Sequence, residues 1–225
     1  MVRRSLIHTV MEQHGGQVAG PTTHGGVIYK TVMRDADVRR ALHAKVLAEH
    51  HHEPDTLVID ELALWYGTAR VDVAVINGRM HGFEIKSDRD TLDRLPGQTR
   101  IYNTVLDRVT LVVGAKHVVD AQRAVPEWWG VKLAYEGPRR AVHFEEQRAP
   151  TTNPNIDPVA VAALLWCDEI ETLLLAADAL RGYRGKSRDV LSRHLADVMS
   201  LMDLRAAVRC QIRARGDWRT VARRT

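Results

Sequence analysis

Three apolar runs of strand length, separated by short turn signals, constrain the fold of this chain more than any other feature. The runs cover residues 56–64, 69–76 and 80–87, and the Asn77-Gly78 pair between the last two is a strong hairpin signal. They predict an antiparallel meander. A helical segment with a restart at Pro96 follows, and then a fourth strand at 108–115. Because a helix separates the third and fourth strands, we expect a crossover that returns the fourth strand beside the hairpin in a mixed sheet.

Helical patterns flank this meander. Helical spacing begins near Asp37, with Asp35 or Asp37 as a possible N-cap, and Pro54 ends the segment. After the fourth strand, a short helix near 118–126 and the strands VKLAYE and AVHFEE complete an α/β unit. We therefore predict an irregular N-terminal arm at 1–34 and an α/β core at 35–150.

The chain after residue 150 is predicted to be helical and divided in charge. One helix is expected from Asp157-Pro158 to Leu180, and a long one begins after the capping residue Ser187. Residues 151–180 carry five acidic and no basic side chains, whereas residues 181–225 carry 12 basic and 4 acidic ones. The region at 151–225 is therefore a helical region with a basic end, which fits either a phosphate-backbone contact or a solvated face.

Composition excludes several classes of protein. The longest apolar run, PVAVAALLWC, is far shorter than the roughly 18 residues of a membrane span, and the first residues lack an export signal. Cys167 and Cys210 are too few for a disulfide framework or a zinc ligand set. The expected location is the cytoplasm.

Acidic residues inside apolar strands are the chemical signal of the sequence, because buried carboxylates are costly unless they are paired or bind a metal. Asp72 lies within VDVAVI, and Glu84 and Lys86 lie two apart in GFEIK, so that these two share one strand face. Carboxylates on adjacent strands suit a hard divalent cation, and a neighbouring ammonium suits a phosphate. The pattern therefore predicts phosphodiester hydrolysis. No Gly-x-Ser-x-Gly, Walker or His-Glu-x-x-His motif competes with it.

Strand parity makes this site testable. A two-residue turn at Asn77-Gly78 would put Asp72 and Glu84 on opposite faces of the sheet. A shared metal requires one face, and we therefore predict a three-residue loop or a bulge at 77–79, with Gly78 at positive φ.

The run at 61–114, with RVDVAVING, FEIKSDRDTLDRLPGQ and DRVTLVVG, resembles the PD-(D/E)XK nuclease superfamily and, more narrowly, its sce7726 family. Asp72 matches the acidic residue of the second strand, and Glu84 and Lys86 match the Glu-x-Lys pair. The resemblance covers about residues 35–145. It implies an α/β fold with a restriction-endonuclease-like mixed β-sheet core flanked by helices, followed by a C-terminal helical region.

Further positions follow from the same resemblance. Glu61 would be an additional upstream carboxylate, and the Ile85 carbonyl would complete the metal ligands with Asp72 and Glu84. Gln98 and Tyr102 resemble the Gln-x-x-x-Tyr element of RecB-like members, and their i, i+4 spacing puts them on one helical face. The sequence departs from the pattern at Val71, where the family has proline.

The resulting hypothesis is a Mg²⁺-dependent nuclease, with Mn²⁺ able to substitute. DNA is the expected substrate, and the choice between DNA and RNA stays open at this point. Its catalytic residues would be Asp72, Glu84, Lys86, Gln98 and Tyr102. The alternative is a nuclease-fold module that binds nucleic acid or a protein partner without turnover. Ordinary ion pairs, Asp72 with Arg70 and Glu84 with Lys86, are the structural alternative for the carboxylates. Asp60 competes with Glu61 for the upstream position, and the oligomeric state stays open, with a homodimer possible.

Overall fold

The computed structural model describes residues 23–24, 27–28 and 33–215. Strands β1 (Thr23–His24) and β2 (Val27–Ile28) pair antiparallel as a small unit of their own. Most of the arm predicted at 1–34 lies outside the described residues. Among these residues no helix is long and apolar enough to cross a bilayer.

A mixed six-stranded sheet forms the centre of the protein, and its strands follow one another in chain order. The first three strands are antiparallel, the next two continue the sheet in parallel, and the last one closes it antiparallel. The predicted crossover is confirmed, because the fourth strand of this sheet lies parallel to the third after an intervening helix. The strands are β3 (Leu57–Leu64), β4 (Ala69–Ile76), β5 (Met80–Lys86), β6 (Arg108–Gly114), β7 (Gly130–Glu136) and β8 (Val142–Arg148).

Seven helices occur in the described part of the chain. The first of them is followed by a π-helical turn at Leu42–Val46 and a 3₁₀ turn at Glu49–His51. Its N-cap is Arg34 rather than either predicted aspartate. The helices are α1 (Asp35–Ala41), α2 (Leu95–Val105), α3 (Val118–Ala124), α4 (Pro158–Ala162), α5 (Cys167–Ala176), α6 (Arg188–Val198) and α7 (Leu201–Ala214).

Both long C-terminal helices predicted from the sequence are wrong, since each is divided in two. The first breaks before α5, where extended Trp166 is the N-cap and its N–H donates to Glu169 at 2.8 Å. The second breaks at Met199, and the side chain of Ser200 caps α7 by accepting from the N–H of Asp203. The apolar periodicity of the sequence continues through both breaks, whereas the local capping hydrogen bonds determine where each new helix begins.

Buried side chains form two clusters. Alternating residues of β4 separate them, because Ala74 and Ile76 belong to one cluster and Val73 and Val75 to the other. The larger cluster joins the sheet to helices α2 to α7, and the smaller one packs α1 against the sheet. Since residues such as Leu195 and Val208 lie in the larger cluster, the C-terminal helices share the core of the sheet.

Candidate functional site

The β4–β5 hairpin sets the two strand carboxylates opposite each other. Ile76 pairs with Met80, so that a three-residue loop at 77–79 joins the strands, as predicted. Continuing the register past Val73 and Phe83 places Asp72 opposite Glu84, on one face. The positive φ predicted for Gly78 is wrong. The Asn77 side chain instead accepts from the N–H of Arg79 at 3.2 Å, which closes the loop without a left-handed residue.

Glu84 is the centre of a buried hydrogen-bond network and is 1% exposed. Its Oε1 accepts from Lys86 Nζ at 2.5 Å and from Gln98 Nε2 at 2.6 Å. Its Oε2 lies 2.6 Å from the Tyr102 hydroxyl, which also lies 2.7 Å from the Arg70 carbonyl. That hydroxyl has one proton and donates to one of these oxygens at a time. Burial, and then the charge of Glu84, raise the pKa of Tyr102 far above its ordinary value, and the hydroxyl therefore stays protonated.

Asp72 joins this network from the neighbouring strand. Its Oδ2 accepts from the backbone N–H of Ile85 at 2.7 Å, and its Oδ1 accepts from Arg39 at 2.9 Å. Burial and the nearby carboxylate of Glu84 raise the pKa of Asp72 to about 7, although the Ile85 N–H and Arg39 act in the opposite direction. Two neighbouring carboxyl groups thus repel each other across the hairpin, which favours a cation beside them.

Arg39 of α1 is a site residue that the sequence reasoning missed. Its guanidinium contacts Asp72, Glu61 Oε1 at 2.7 Å and Asp35 Oδ2 at 3.3 Å, and it also donates to the Asp72 carbonyl. Burial lowers the pKa of Arg39, but the carboxylates, Asp72 first, outweigh burial and raise it. Only the i, i+4 spacing of Asp35 and Arg39 was visible in the sequence, and that spacing is typical of any exposed helix.

Glu61 lines the cleft, and the β3–β4 pairs on either side of it, Asp60–Val73 and Leu62–Val71, bring it opposite Asp72. The Asp60 side chain bonds His43 at 2.8 Å instead. Glu61 has φ 59°, a left-handed value that is rare for a non-glycine residue inside a strand. Its carboxylate is 45% exposed and pairs with Arg39. Strand parity therefore places Glu61 rather than Asp60 beside the cleft, but the partners of Glu61 in the structure are the guanidinium groups of Arg39 and Arg70.

These residues lie in an open cleft of about 1000 Å³. Its walls come from α1, the ends of β3 to β5, and the first turns of α2. In addition to the network residues, the cleft is lined by three exposed arginines, which are Arg70, Arg94 and Arg100. Guanidinium groups of this kind fit phosphate oxygens, and the cleft therefore combines a carboxylate pair with anion-binding groups.

The donor set suits Mg²⁺ better than a metal that needs a complete protein cage. Within the described residues no three His, Cys, Asp or Glu side chains converge closely enough to hold a metal ion. Mg²⁺ commonly uses one or two carboxylates and keeps several waters. Asp72 and Glu84, with the Ile85 backbone beside them, meet that requirement, whereas Glu61 is held by Arg39. One polar atom of the network, Gln98 Oε1, is buried and has no hydrogen-bond partner among the described residues.

Most of the described arginines of the basic C-terminal region are paired with groups of the protein itself. Arg205 and Arg209 both pair with buried Asp107, and Arg215 pairs with Glu169. Further arginines bind backbone or carboxylate oxygens: Arg188, Arg193 and Arg213. These charges stabilise the fold, and only the side chains that stay exposed and unpaired are available to a phosphate backbone.

Comparison with known proteins identifies the family. Residues 30–220 match the model of the bacteriophage P4 protein cII family. Protein cII of Enterobacteria phage P4 is 31% identical over 143 residues, which is 64% of this chain and 53% of that protein. The match thus spans about half of the relative's length, and no solved structure matches the chain.

This finding corrects the family assignment made from the sequence. The resemblance to PD-(D/E)XK nucleases and to the sce7726 family rested on an acidic-x-Lys triplet and its strand context. Such a triplet is expected roughly once by chance in a chain with 28 acidic residues and few lysines. The family match covers most of the chain and replaces that assignment. The chain belongs to the bacteriophage P4 protein cII family.

Proposed function

We propose that the cleft hydrolyses phosphodiester bonds of nucleic acid with the help of a bound divalent cation, Mg²⁺ or Mn²⁺. The observation that carries the proposal is the placement of Asp72 opposite Glu84, with Lys86 on the same side at 2.5 Å from Glu84. This geometry supports the proposal independently of the resemblance to PD-(D/E)XK nucleases.

Each side chain has a distinct role in this proposal. Asp72 and Glu84 hold the cation, which would acidify a water molecule and neutralise charge on the phosphate. Gln98 and Tyr102 fix the orientation of the Glu84 carboxylate, because both lie within 2.6 Å of it. The Lys86 ammonium stabilises the negative charge that develops on the phosphate in the transition state.

Arg39 contributes to the resting state of the cleft. Its guanidinium bridges Asp72 and Glu61, and it occupies the space on one side of the carboxylate pair. A divalent cation beside Asp72 must therefore tolerate or displace a positive charge, which weakens metal binding in the absence of substrate. The exposed cleft arginines Arg70, Arg94 and Arg100 supply contacts to phosphates.

A second candidate function is binding of nucleic acid or of a protein partner without turnover. It is favoured by the fact that every carboxylate oxygen of Asp72 and Glu84 already lies within hydrogen-bond distance of a protein donor. In that case the network is a closed structural element rather than a metal site. The two candidates differ in whether any substrate is cleaved.

Cleavage assays separate the candidates. Single-stranded, duplex and branched DNA and single-stranded RNA, each end-labelled, are incubated with the protein in Mg²⁺, in Mn²⁺ and in EDTA. We expect cleavage with either metal, none in EDTA, and loss of cleavage in Lys86→Met. Lys116→Met removes an exposed lysine outside the cleft and is the matched control. Binding without cleavage of every substrate in both metals refutes the hydrolytic proposal and supports the second candidate.

A further inference from the structure

The turn between β3 and β4 presents an aromatic side chain at the rim of the cleft. Trp65, Tyr66 and Gly67 have φ values of 46°, 57° and 87°, three left-handed residues in succession. Left-handed non-glycine residues are strained and persist where the surroundings hold them. The Thr68 hydroxyl closes the turn on the Trp65 carbonyl at 2.8 Å. Tyr66 stays 37% exposed, and the next two residues line the cleft.

Arg188, at the start of α6, holds the Tyr66 ring from one side. Its guanidinium carbon lies 5.0 Å from the ring centroid, within the range of a cation–π interaction. Arg188 is itself fixed by hydrogen bonds to the carbonyls of Leu165 at 2.6 Å and Ala163 at 2.8 Å. The aromatic ring is thus supported by a fixed cation, and its exposed part faces solvent beside the cleft.

The loop that leads into α6 carries three further positive charges, and it joins the helix beside Arg188, the residue that contacts the ring. Arg181, Arg184 and Lys186 are exposed, and within the described residues their side chains have no ion pair and no hydrogen bond. The loop has a fixed shape, because Tyr183 stacks on His194 with ring centroids 3.5 Å apart. These cations contrast with the paired arginines of the same region, and they precede Arg188 directly in the chain.

We propose that Tyr66, Arg181, Arg184 and Lys186, here called the Tyr66 surface, bind an unpaired single-stranded segment of nucleic acid at the mouth of the cleft. An aromatic face stacks on any base that is not already stacked in a duplex, and cations along a groove track the backbone. The Tyr66 surface therefore selects single-stranded over duplex substrate. The proposal rests on the proposed function for the identity of the ligand as nucleic acid.

Binding without cleavage tests the surface. Fluorescence anisotropy in EDTA is measured with a labelled 15-nucleotide thymidine oligomer and with a 15-base-pair duplex. We expect Tyr66→Asn, which tolerates a left-handed backbone, to weaken binding of the single strand about fivefold or more. Duplex binding should change less than twofold, and Tyr66→Phe should bind the single strand like the unchanged protein.

Salt dependence tests the loop. The triple variant R181Q/R184Q/K186Q should reduce the slope of log affinity against log salt by about 2, since each phosphate of a single strand that the protein neutralises adds roughly 0.7 to that slope. R123Q/R139Q/R140Q removes three exposed charges elsewhere on the fold and should leave the slope unchanged. The proposal is overturned by equal slopes in the two triple variants, by an equal loss on duplex and single strand in Tyr66→Asn, or by no binding of the oligomer.

These outcomes are independent of hydrolysis. A protein that cleaves nucleic acid in Mg²⁺ but whose Tyr66→Asn variant binds the oligomer normally overturns the Tyr66 surface alone. A protein that binds the oligomer through Tyr66 and cleaves nothing retains the Tyr66 surface and refutes the proposed function.

Discussion

The ion pair between Glu84 and Lys86 makes a measurable contribution to stability. The Glu84 side chain is 1% exposed, that of Lys86 is 6% exposed, and Nζ lies 2.5 Å from Oε1. Glu84→Gln keeps the shape of the side chain but removes the charge that faces the ammonium. Removing one partner of a buried pair costs about 3–5 kcal/mol. In a protein of this size the melting temperature should fall by about 6–20 °C.

Lys86→Met is the informative counterpart. It leaves the Glu84 carboxylate with its donors from Gln98 and Tyr102, and we therefore expect a smaller loss of stability than in Glu84→Gln. The double variant removes both charges, and its cost should fall short of the sum of the single costs by about 1 kcal/mol or more. Urea unfolding in EDTA, followed by circular dichroism, gives the four free energies. The stabilising role of the pair is refuted if Glu84→Gln unfolds within about 0.5 kcal/mol of the unchanged protein or if the two costs simply add.

Three further predictions concern His81, Arg39 and Asp107. Burial lowers the pKa of His81 to about 3, so that the stability contributed by the neutral side chain is complete above about pH 6.5 and is lost as the pH falls towards 3. His81→Gln should therefore lose less stability than the unchanged protein between pH 7 and 4.5. Urea titrations measure both losses, and an equal loss contradicts this. Arg39→Met removes the cation beside Asp72 and should tighten Mn²⁺ binding, as measured by electron paramagnetic resonance without nucleic acid; unchanged or weaker binding rejects the role given to Arg39. Asp107→Asn removes the buried charge that pairs with Arg205. It should destabilise the protein by about 2–4 kcal/mol and speed hydrogen exchange in α7. Exchange at the original rate shows that this pair does not hold the helix.

The sheet could be predicted from the sequence because its signals are local. The strands at 57–64, 69–76 and 80–86 end within one residue of the predicted runs, since turn residues and apolar runs mark them directly. The three-residue loop followed from parity combined with the demand that Asp72 and Glu84 share a face. The C-terminal helix breaks were missed because apolar periodicity runs through Met199, where Ser200 begins a new cap.

The site was predicted in part, and the missing part depends on contacts between distant segments. Gln98 and Tyr102 both reach Glu84, as their shared helical face allowed. Arg39 lies 33 residues from Asp72 in the chain, and no local pattern links them. The arginines of the basic C-terminal region also depend on distant contacts. Their charge is visible in the sequence, but their partners within the fold, such as Asp107, are not visible there.

The single-turnover cleavage rate of Lys86→Met in Mg²⁺, compared with the unchanged protein and with Lys116→Met, tests the central claim most directly. Removing a group that stabilises transition-state charge costs about 10²–10³ in rate. We predict a loss of that size in Lys86→Met, with Lys116→Met within twofold of the unchanged protein, under conditions where circular dichroism shows all three folded. Equal rates in the two variants, or no metal-dependent cleavage by the unchanged protein, would contradict the assignment of this cleft to phosphodiester hydrolysis.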